Sequence, residues 1–260
     1  LKDNNTGAET NRKALGVKVG YKFDTVTYAG ALEYRVDETQ QFDTTSAERK
    51  TWLLKNSMKY QLTADWRVIA KLNHSQSASS LGDFYNGDFT EAVVGYAFRP
   101  VNNDALNILL KYTYFYNMPT TDQLALNNNS SQYIQKSHIL SVDVMYDITR
   151  SWSLGGKYAH RFGQLSLDRQ DPQFFDSEAS LYIVRADWHF THHWDALLEG
   201  RLLAIPDAGD SRSGLLFAIY RHFDDYIKAG VGYNFTDFSD DLTDLDYNSQ
   251  GLFINLIGKF

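Results

Sequence analysis

Apolar and polar residues alternate along this chain with a period of two, in one segment after another. In the first segment, Leu15, Val17 and Val19 share one parity, while Lys18 and Lys22 share the other. Successive side chains of a β-strand point to opposite faces, so this pattern predicts strands with one apolar and one polar face. Repeated to the end of the chain, it predicts about thirteen strands of roughly ten to fourteen residues.

The predicted connections between these strands alternate strictly between short turns and long polar segments. The short turns include 149–150 and 192–193, and the long segments lie near residues 38–48, 78–88, 118–131, 167–177 and 238–248. Such asymmetry is typical of outer-membrane barrels, whose periplasmic turns are short and whose outer loops are long. Aromatic residues flank several short turns, as expected for a girdle at the membrane headgroups: Trp66, Trp152, Trp194 and Tyr226.

These features predict an all-β fold, an antiparallel up-and-down transmembrane β-barrel. No apolar run approaches the roughly eighteen residues of a membrane-spanning helix. The alternative is a soluble β-sandwich or lipocalin-like barrel, whose strands also alternate. Two observations disfavour it: aromatic residues cluster at strand ends on the apolar face, and the opposite face carries isolated charges beside Gly and Ala. A water-filled interior explains both.

The amino-acid composition excludes several kinds of functional site. The chain has no cysteine, which excludes disulfides, zinc–thiolate sites and thiol nucleophiles. Its net charge of −7 argues against a nucleic-acid partner. His192 and His193 are adjacent and point to opposite faces, and the acidic run at 237–246 lacks the spacing of an EF-hand. We therefore predict no metal and no cofactor, and interpret the acidic run as a solvated outer loop.

The C-terminal sequence carries a family resemblance. The stretch Gly251-Leu252-Phe253-Ile254-Asn255-Leu256-Ile257-Gly258-Lys259-Phe260 resembles the last strand of outer-membrane proteins, which implies an assembly signal made of Leu252, Ile254, Leu256 and Phe260. The stretch 231–242 is similar to the C-terminal ends of large, poorly characterised Gram-negative surface proteins. The resemblance implies an outer-membrane location, with lipid, lipopolysaccharide and the barrel assembly machinery as partners and other envelope or surface proteins as further candidates.

Strand parity bears on the extent of the domain. We assign residues 1–12 to an extracellular loop or leader and residues 13–260 to the barrel, as the C-terminal part of a larger one. The first and last predicted strands both run towards the periplasm, whereas bacterial single-chain barrels have even strand numbers. We therefore expect at least one strand before Leu1 and a total of 14 or more. A miscounted strand is the alternative explanation.

The polar parity predicts the residues that line the interior. The basic ones are Lys18, Lys22, Arg35, Lys55, Lys59, Arg67, Lys71, Lys111, Lys157, Arg161, Arg185, Arg201 and Lys228, and the acidic ones are Glu33, Glu91, Asp143, Asp187 and Glu199. A net basic lumen would attract anions, so we predict an outer-membrane channel or export conduit for ions, small anionic solutes or a polymer. If opposite charges instead pair and close the interior, the barrel is an anchor or assembly partner for a large surface or periplasmic complex.

An enzymatic role is not predicted. The outward Ser and His of an outer-membrane phospholipase, or the paired Asp and His of an outer-membrane protease, have no clear counterpart in the sequence. Three histidines and three serines do fall near the predicted outer strand ends: His74, His138, His160, Ser75, Ser137 and Ser166. Both residue types are common there, and we assign no catalytic residue.

Overall fold

The computed structural model describes residues 9–40, 46–119, 133–223, 227–243 and 250–258. Its strands are β1 (Glu9–Lys22), β2 (Val26–Gln40), β3 (Ser46–Gln61), β4 (Trp66–Ser79), β5 (Gly87–Phe98), β6 (Leu106–Met118), β7 (Ile134–Asp147), β8 (Trp152–Ser166), β9 (Phe175–Asp176), β10 (Ala179–Thr191), β11 (Trp194–Ile205), β12 (Asp210–His222), β13 (Ile227–Asn234) and β14 (Gly251–Gly258). Short 3-10 turns occupy Asp83–Tyr85 and Pro206–Ala208. Within the described ranges, no helix has both the length and the apolar character needed to cross a membrane.

The strands form one antiparallel sheet in which each long strand pairs with the long strands before and after it in sequence. The two-residue β9 pairs only with β8, at its outer end, so the meander consists of thirteen long strands. This confirms the predicted all-β, up-and-down fold. Among the described residues β1 and β14 are the two edges, and the antiparallel order makes them run in the same direction. The expected strand before Leu1 stays a prediction.

The first strand begins earlier than the sequence suggested. Glu9 already pairs with Gln40, and Arg12 pairs with Asp37, so four residues assigned to a loop or leader extend β1. We call the strand ends at the short turns 148–151 and 192–193 the inner ends, and the opposite ends the outer ends.

The two faces of the sheet differ in what they expose. The outward face carries the apolar parity, with 68% of Val184, 49% of Leu198 and 80% of Ile254 accessible. The opposite, inward parity holds small, polar or charged residues and the buried positions. Exposed apolar side chains on strand after strand form a surface far too large for a protein in water, and hydrocarbon lipid is the environment that suits it.

Aromatic side chains gather at the inner ends, on the outward face. Trp152 stacks on Trp188 with ring centroids 5.2 Å apart, and Trp66 contacts Phe98 at 4.5 Å. Trp194 lies in the same zone beneath the guanidinium of Arg221. This matches the predicted girdle at three of its four positions; Tyr226 falls outside the described residues.

The lengths of the connections do not alternate strictly, which corrects the prediction. The outer connection between β11 and β12 has only four residues (206–209), whereas the inner connection between β5 and β6 has seven (99–105). Pro206 opens the outer turn, and Gly209 closes it in the left-handed region with φ of 61°. A residue without a Cβ adopts that conformation cheaply, so the chain reverses without a long loop.

Residues 236–243, which we call the inward segment, fold back against the inward face. Phe238 and Leu242 are fully buried there. They form one apolar cluster with buried residues of β7, β8, β10 and β11, including Ile139, Leu181 and Leu203. A segment of eight residues can meet so many strands only if the sheet curves around it. The prediction of a solvated outer loop is therefore wrong for this part of the acidic run, because its two large apolar residues find a dry site inside; residues 244–246 lie outside the described ranges.

Candidate functional site

The residues predicted to line the lumen all occupy inward positions of their strands. Lys59, Arg67, Lys157 and Arg185 border one cavity of about 920 Å³ near the inner ends. This cavity extends from β3 and β4 to Glu199 of β11, so the two sides of the curved sheet face each other across it. That these side chains line a permeation route stays a prediction.

Several predicted basic residues form ion pairs on this face. Arg185 Nε lies 2.7 Å from Asp187 Oδ2, and Arg201 Nε lies 2.5 Å from Glu199 Oε1. Lys71 Nζ donates a hydrogen bond of 2.8 Å to Glu91 Oε1. Each of these acidic residues was placed on the inward face from sequence. Pairing across neighbouring strands, weighed above as the alternative to an open basic lumen, is present for Lys71 and Glu91, whereas the other two pairs lie within one strand.

The charges are distributed unequally between the two parts of the sheet. The inward positions of β1–β6 carry ten basic and three acidic side chains. The basic ones are Arg12, Lys18, Lys22, Arg35, Arg49, Lys55, Lys59, Arg67, Lys71 and Lys111, and the acidic ones are Glu33, Asp37 and Glu91. The inward positions of β7–β13 carry six of each sign: Lys157, Arg161, Arg185, Arg201, Arg212 and Lys228 against Asp143, Asp147, Asp187, Asp195, Glu199 and Asp210.

The inward segment is held by polar contacts as well as by its apolar residues. Lys157 Nζ donates to the carbonyl oxygen of Asp240 at 2.6 Å, and Gln135 Nε2 donates to the carbonyl oxygen of Thr243 at 3.2 Å. Burial alone would raise the pKa of Asp241, but hydrogen bonds from Ser239 and Thr243 outweigh it and hold that pKa below its ordinary value. Asp241 therefore stays ionised inside the fold.

At Gly214 of β12 the inward segment comes especially close. A Cβ built on Gly214 would lie 2.8 Å from Thr236 Cβ, closer than side-chain carbons approach one another. The glycine lets the segment enter against the strand, and a larger residue would push it away.

Arg169 links three outer connections. It lies after β8, where its Nη1 donates to the carbonyl oxygen of Pro119 at 2.9 Å and its Nη2 donates to that of Asn86. Its guanidinium also lies over the ring of Phe84. Burial lowers the pKa of Arg169 from its ordinary value, yet a guanidinium stays charged in proteins. The connection after β8 is thus fastened to those after β4 and β6.

Solved structures with a similar fold include the siderophore receptor PirA from Pseudomonas aeruginosa and its counterpart from Acinetobacter baumannii. The first has a TM-score of 0.57 at 10% identity, over 90% of this chain and 41% of that one. The second has a TM-score of 0.60 at 11% identity, over 89% and 41%. The copper transporter OprC has a TM-score of 0.55 at 10% identity, over 96% and 48%. The chain has the fold of a bacterial outer-membrane β-barrel.

The barrel spans less than half the length of each of these three proteins. At such low identity the similarity shows the fold alone. No protein-family model matches the sequence, and no curated protein matches it either.

Sequence reasoning missed a polar cluster at the inner ends of four strands of the barrel. His189 Nδ1 and His222 Nε2 each lie 2.7 Å from a carboxylate oxygen of Asp195, and Lys228 Nζ donates to the same carboxylate. The side chain of Asp195 is only 7% exposed. Lys228, predicted as a lumen residue, is thus committed to a structural ion pair. All four residues share the inward parity, which could have grouped them once the strand order was known.

The histidines considered for catalysis lie on the outward face of the barrel. His160 Nδ1 is 2.8 Å from Ser180 Oγ, His138 Nδ1 is 2.7 Å from the Tyr112 hydroxyl, and His74 Nδ1 is 2.9 Å from Thr90 Oγ1. Among the residues that the structure describes, no carboxylate is hydrogen-bonded to His160, and no three acidic or histidine side chains are grouped as metal ligands. These contacts assemble no catalytic triad in the described ranges.

The residues of the C-terminal resemblance lie at the edge of the barrel. Leu252, Ile254 and Leu256 project from the outward face of β14 and are 70%, 80% and 73% exposed. Phe260 lies outside the described residues. Their role as an assembly signal stays a prediction.

Proposed function

We propose that this protein is an outer-membrane conduit for small anionic solutes, with its route along the inward face of β1–β6. The observation that carries the proposal is the excess of ten basic over three acidic side chains on that face. Charges of one sign inside a low-dielectric wall focus the field and raise the local concentration of counterions. Rings of Lys and Arg select anions in pores by the same physics.

The position of the inward segment agrees with this route. Phe238 and Leu242 pack on β7, β8, β10 and β11, which is the part of the sheet where inward charges balance. Lys18 and Lys55 instead border an open recess with Lys71 on the inward face of β1–β4. A solute passing through the barrel would meet the lysine-bearing side and the polar edge of the segment.

Ion selectivity in a planar bilayer tests the proposal. The wild-type protein is expected to prefer anions at low ionic strength, where charge effects are least screened. Replacing Lys55, Lys59, Lys71 and Lys111 together by Glu changes the inward face of β1–β6 to six basic and seven acidic side chains, so the preference should turn to cations. Lys13→Glu with Lys50→Glu, at outward positions, is the matched control and should leave selectivity unchanged. An unaltered ion preference in the fourfold variant would contradict the proposed route.

A bulky substitution can separate passage beside the inward segment from passage that requires its displacement. A Cβ at Gly214 would already lie 2.8 Å from Thr236 Cβ, so Gly214→Leu should displace the segment from β12. We expect this variant to leave the conductance unchanged, because the proposed route lies on the opposite side. A marked rise in current through Gly214→Leu would instead place the route through the volume that the segment now fills.

A second function, an anchor or assembly partner without an open pore, is favoured by the packing around Phe238 and Leu242 and by the outer link through Arg169. In that case, the wild-type protein and a Phe238→Ala, Leu242→Ala variant should both be silent in bilayers. Steady current through the wild-type protein would decide against the anchor.

A further inference from the structure

A second cavity of about 630 Å³ lies at the outer ends of β1–β6, on the inward face. Arg12, Arg35 and Arg49 border it, together with two acidic residues: Asp37, and Asp88 at an outward position of β5. Two of these arginines, Arg12 and Arg49, were not among the predicted lumen residues. The cavity is walled on its β4 side by a row of serine hydroxyls.

The strand register brings the three arginines together. Arg12 of β1 pairs with Asp37 of β2, and Asp37 pairs with Arg49 of β3, so the three residues lie side by side. Arg35 follows two residues from Asp37 on the same face. With strands about 4.8 Å apart and alternate residues about 7 Å apart, all three guanidinium groups can reach one small ligand.

One carboxylate holds two of these arginines. Arg12 Nε donates to Asp37 Oδ1 at 2.6 Å, and Arg35 Nε lies 3.2 Å from Asp37 Oδ2. Arg49 Nη2 donates to the carbonyl oxygen of Tyr85 at 3.4 Å. Arg12 and Arg35 share the one carboxylate of Asp37, so these two guanidinium groups carry one positive charge more than Asp37 balances, and an anion would balance it.

Arg12 and Arg35 together have more N–H donors than the carboxylate of Asp37 has acceptor positions. Each guanidinium has five N–H donors. Arg35 Nε is buried and makes no hydrogen bond within the described residues, despite its closeness to Asp37. A buried donor whose contact with a carboxylate is too poorly aligned for a hydrogen bond is only partly satisfied, and a second carboxylate or a phosphate oxygen is the partner that the guanidinium fork fits best.

The remaining wall is rich in hydroxyls. Thr10 and Thr39 hydroxyls lie 3.2 Å apart, and Thr51 pairs in register with Ser77. Ser75 and Ser79 continue the same face of β4. A hydroxyl donates and accepts hydrogen bonds, as do the hydroxyls of a sugar.

We propose that this outer cavity binds an acidic oligosaccharide, with its acid group on Arg12, Arg35 and Arg49 and its sugar hydroxyls on the Ser and Thr side chains. The volume falls within the roughly 300–1,000 Å³ of ordinary ligand sites. Binding requires neither conduction nor movement of the inward segment, so the site goes beyond the proposed conduit and can be tested apart from it.

Isothermal titration of the protein in detergent micelles tests the proposal with three probes: trigalacturonate, the neutral maltotriose, and citrate as an anion without sugar. Trigalacturonate should bind at least about tenfold more tightly than either of the others, since the acid group and the hydroxyls both contribute. Equal binding of maltotriose, equal binding of citrate, or no binding of trigalacturonate would each overturn the assignment.

Variants locate the binding. Arg12→Gln and Arg49→Gln should each weaken trigalacturonate by about tenfold or more, because each removes a charged donor. Arg49→Lys keeps the positive charge but loses the two-pronged guanidinium group, so its affinity for trigalacturonate should lie between those of wild type and Arg49→Gln. Lys13→Gln, next to Arg12 but on the outward face of β1, is the matched control and should bind as wild type does. Circular dichroism establishes that each variant is folded, and undiminished affinity in folded Arg49→Gln would contradict the site.

Discussion

The inward face of β1–β6 and the inward face of β7–β13 belong to one sheet but are built differently. In β1–β6 the basic side chains outnumber the acidic ones by ten to three and stand beside cavities. In β7–β13 the two signs are equal in number, and the inward segment buries Ile139, Leu181 and Leu203 beneath it. We refer to these as the basic half and the packed half.

The outward faces of the two halves are alike. Val17 in the basic half is 64% exposed, and Val184 in the packed half is 68% exposed. Contact with lipid requires apolar side chains at the outward positions of every strand, whereas no such common requirement applies to the inward positions. The two halves of the interior differ in what lies against their inward positions: cavities in one, a folded segment in the other.

Phe238→Ala should lower the unfolding free energy more than any other substitution proposed below, because Phe238 is buried in the packed half. Removing a fully buried Phe side chain costs about 3–5 kcal/mol of unfolding free energy, because the cavity left behind cannot collapse completely. Leu81→Ala, 46% exposed in the connection after β4, should change it by less than about 0.5 kcal/mol. Urea unfolding in lipid vesicles measures both. Similar losses of unfolding free energy in the two variants would contradict the difference in packing between the halves.

Leu198→Arg tests the face that both halves share. A charge facing the middle of the bilayer should cost about 2–4 kcal/mol. The control is Ser57→Arg, on the inward and exposed side of β3, where arginine stays hydrated and the cost should be small. The same urea titrations compare them. If Ser57→Arg proved the more harmful variant, the assignment of the two faces would be inverted.

Ion pairs should be stronger in the packed half. Arg201 and Glu199 are both only 11% exposed, so a double-mutant cycle to Gln should give a coupling of about 1.5–3 kcal/mol. Lys71 and Glu91 in the basic half are 46% and 20% exposed, and solvent screening should keep their coupling below about 1 kcal/mol. Equal coupling energies would mean that water reaches both halves to the same extent.

The sheet could be predicted from the sequence because every strand shows the same alternation, with apolar residues on the face that meets lipid. It was insufficient for the inward segment, because Phe238 and Leu242 stand among acidic residues and nothing periodic marks their burial. Arg12 and Arg49 were missed because they lie near outer strand ends, where the alternating pattern was not extended. The Asp195 cluster joins four strands, so only the register reveals it.

The charge balance of the packed half was missed for a related reason. Asp147, Asp195 and Asp210 lie at or next to the ends of their strands and had been left out of the inward set. Without them the inward face seemed basic throughout. With them, the basic excess is confined to β1–β6, which is why the proposed route follows those strands.

The smallest effect we expect is a change in the pH dependence of stability at the boundary between the halves. Hydrogen bonds from Ser239 and Thr243 and the charge of Lys111 keep the pKa of Asp241 below its ordinary value despite burial. A carboxyl whose pKa is lower in the folded state adds stability above its unfolded pKa, and that stability is lost as the pH falls through the folded pKa.

Asp241→Asn should therefore be less stable than wild type at pH 7 and should lose less stability on acidification below about pH 4, the range in which an unperturbed Asp titrates. Asp240→Asn is the control within the same segment, because the contact of Asp240 with Lys157 uses its backbone carbonyl. Urea midpoints at a series of pH values compare the three proteins. A wild-type acid response retained in Asp241→Asn would show that the inward segment leaves this carboxylate in open solvent, and the packed half would then be as wet as the basic half.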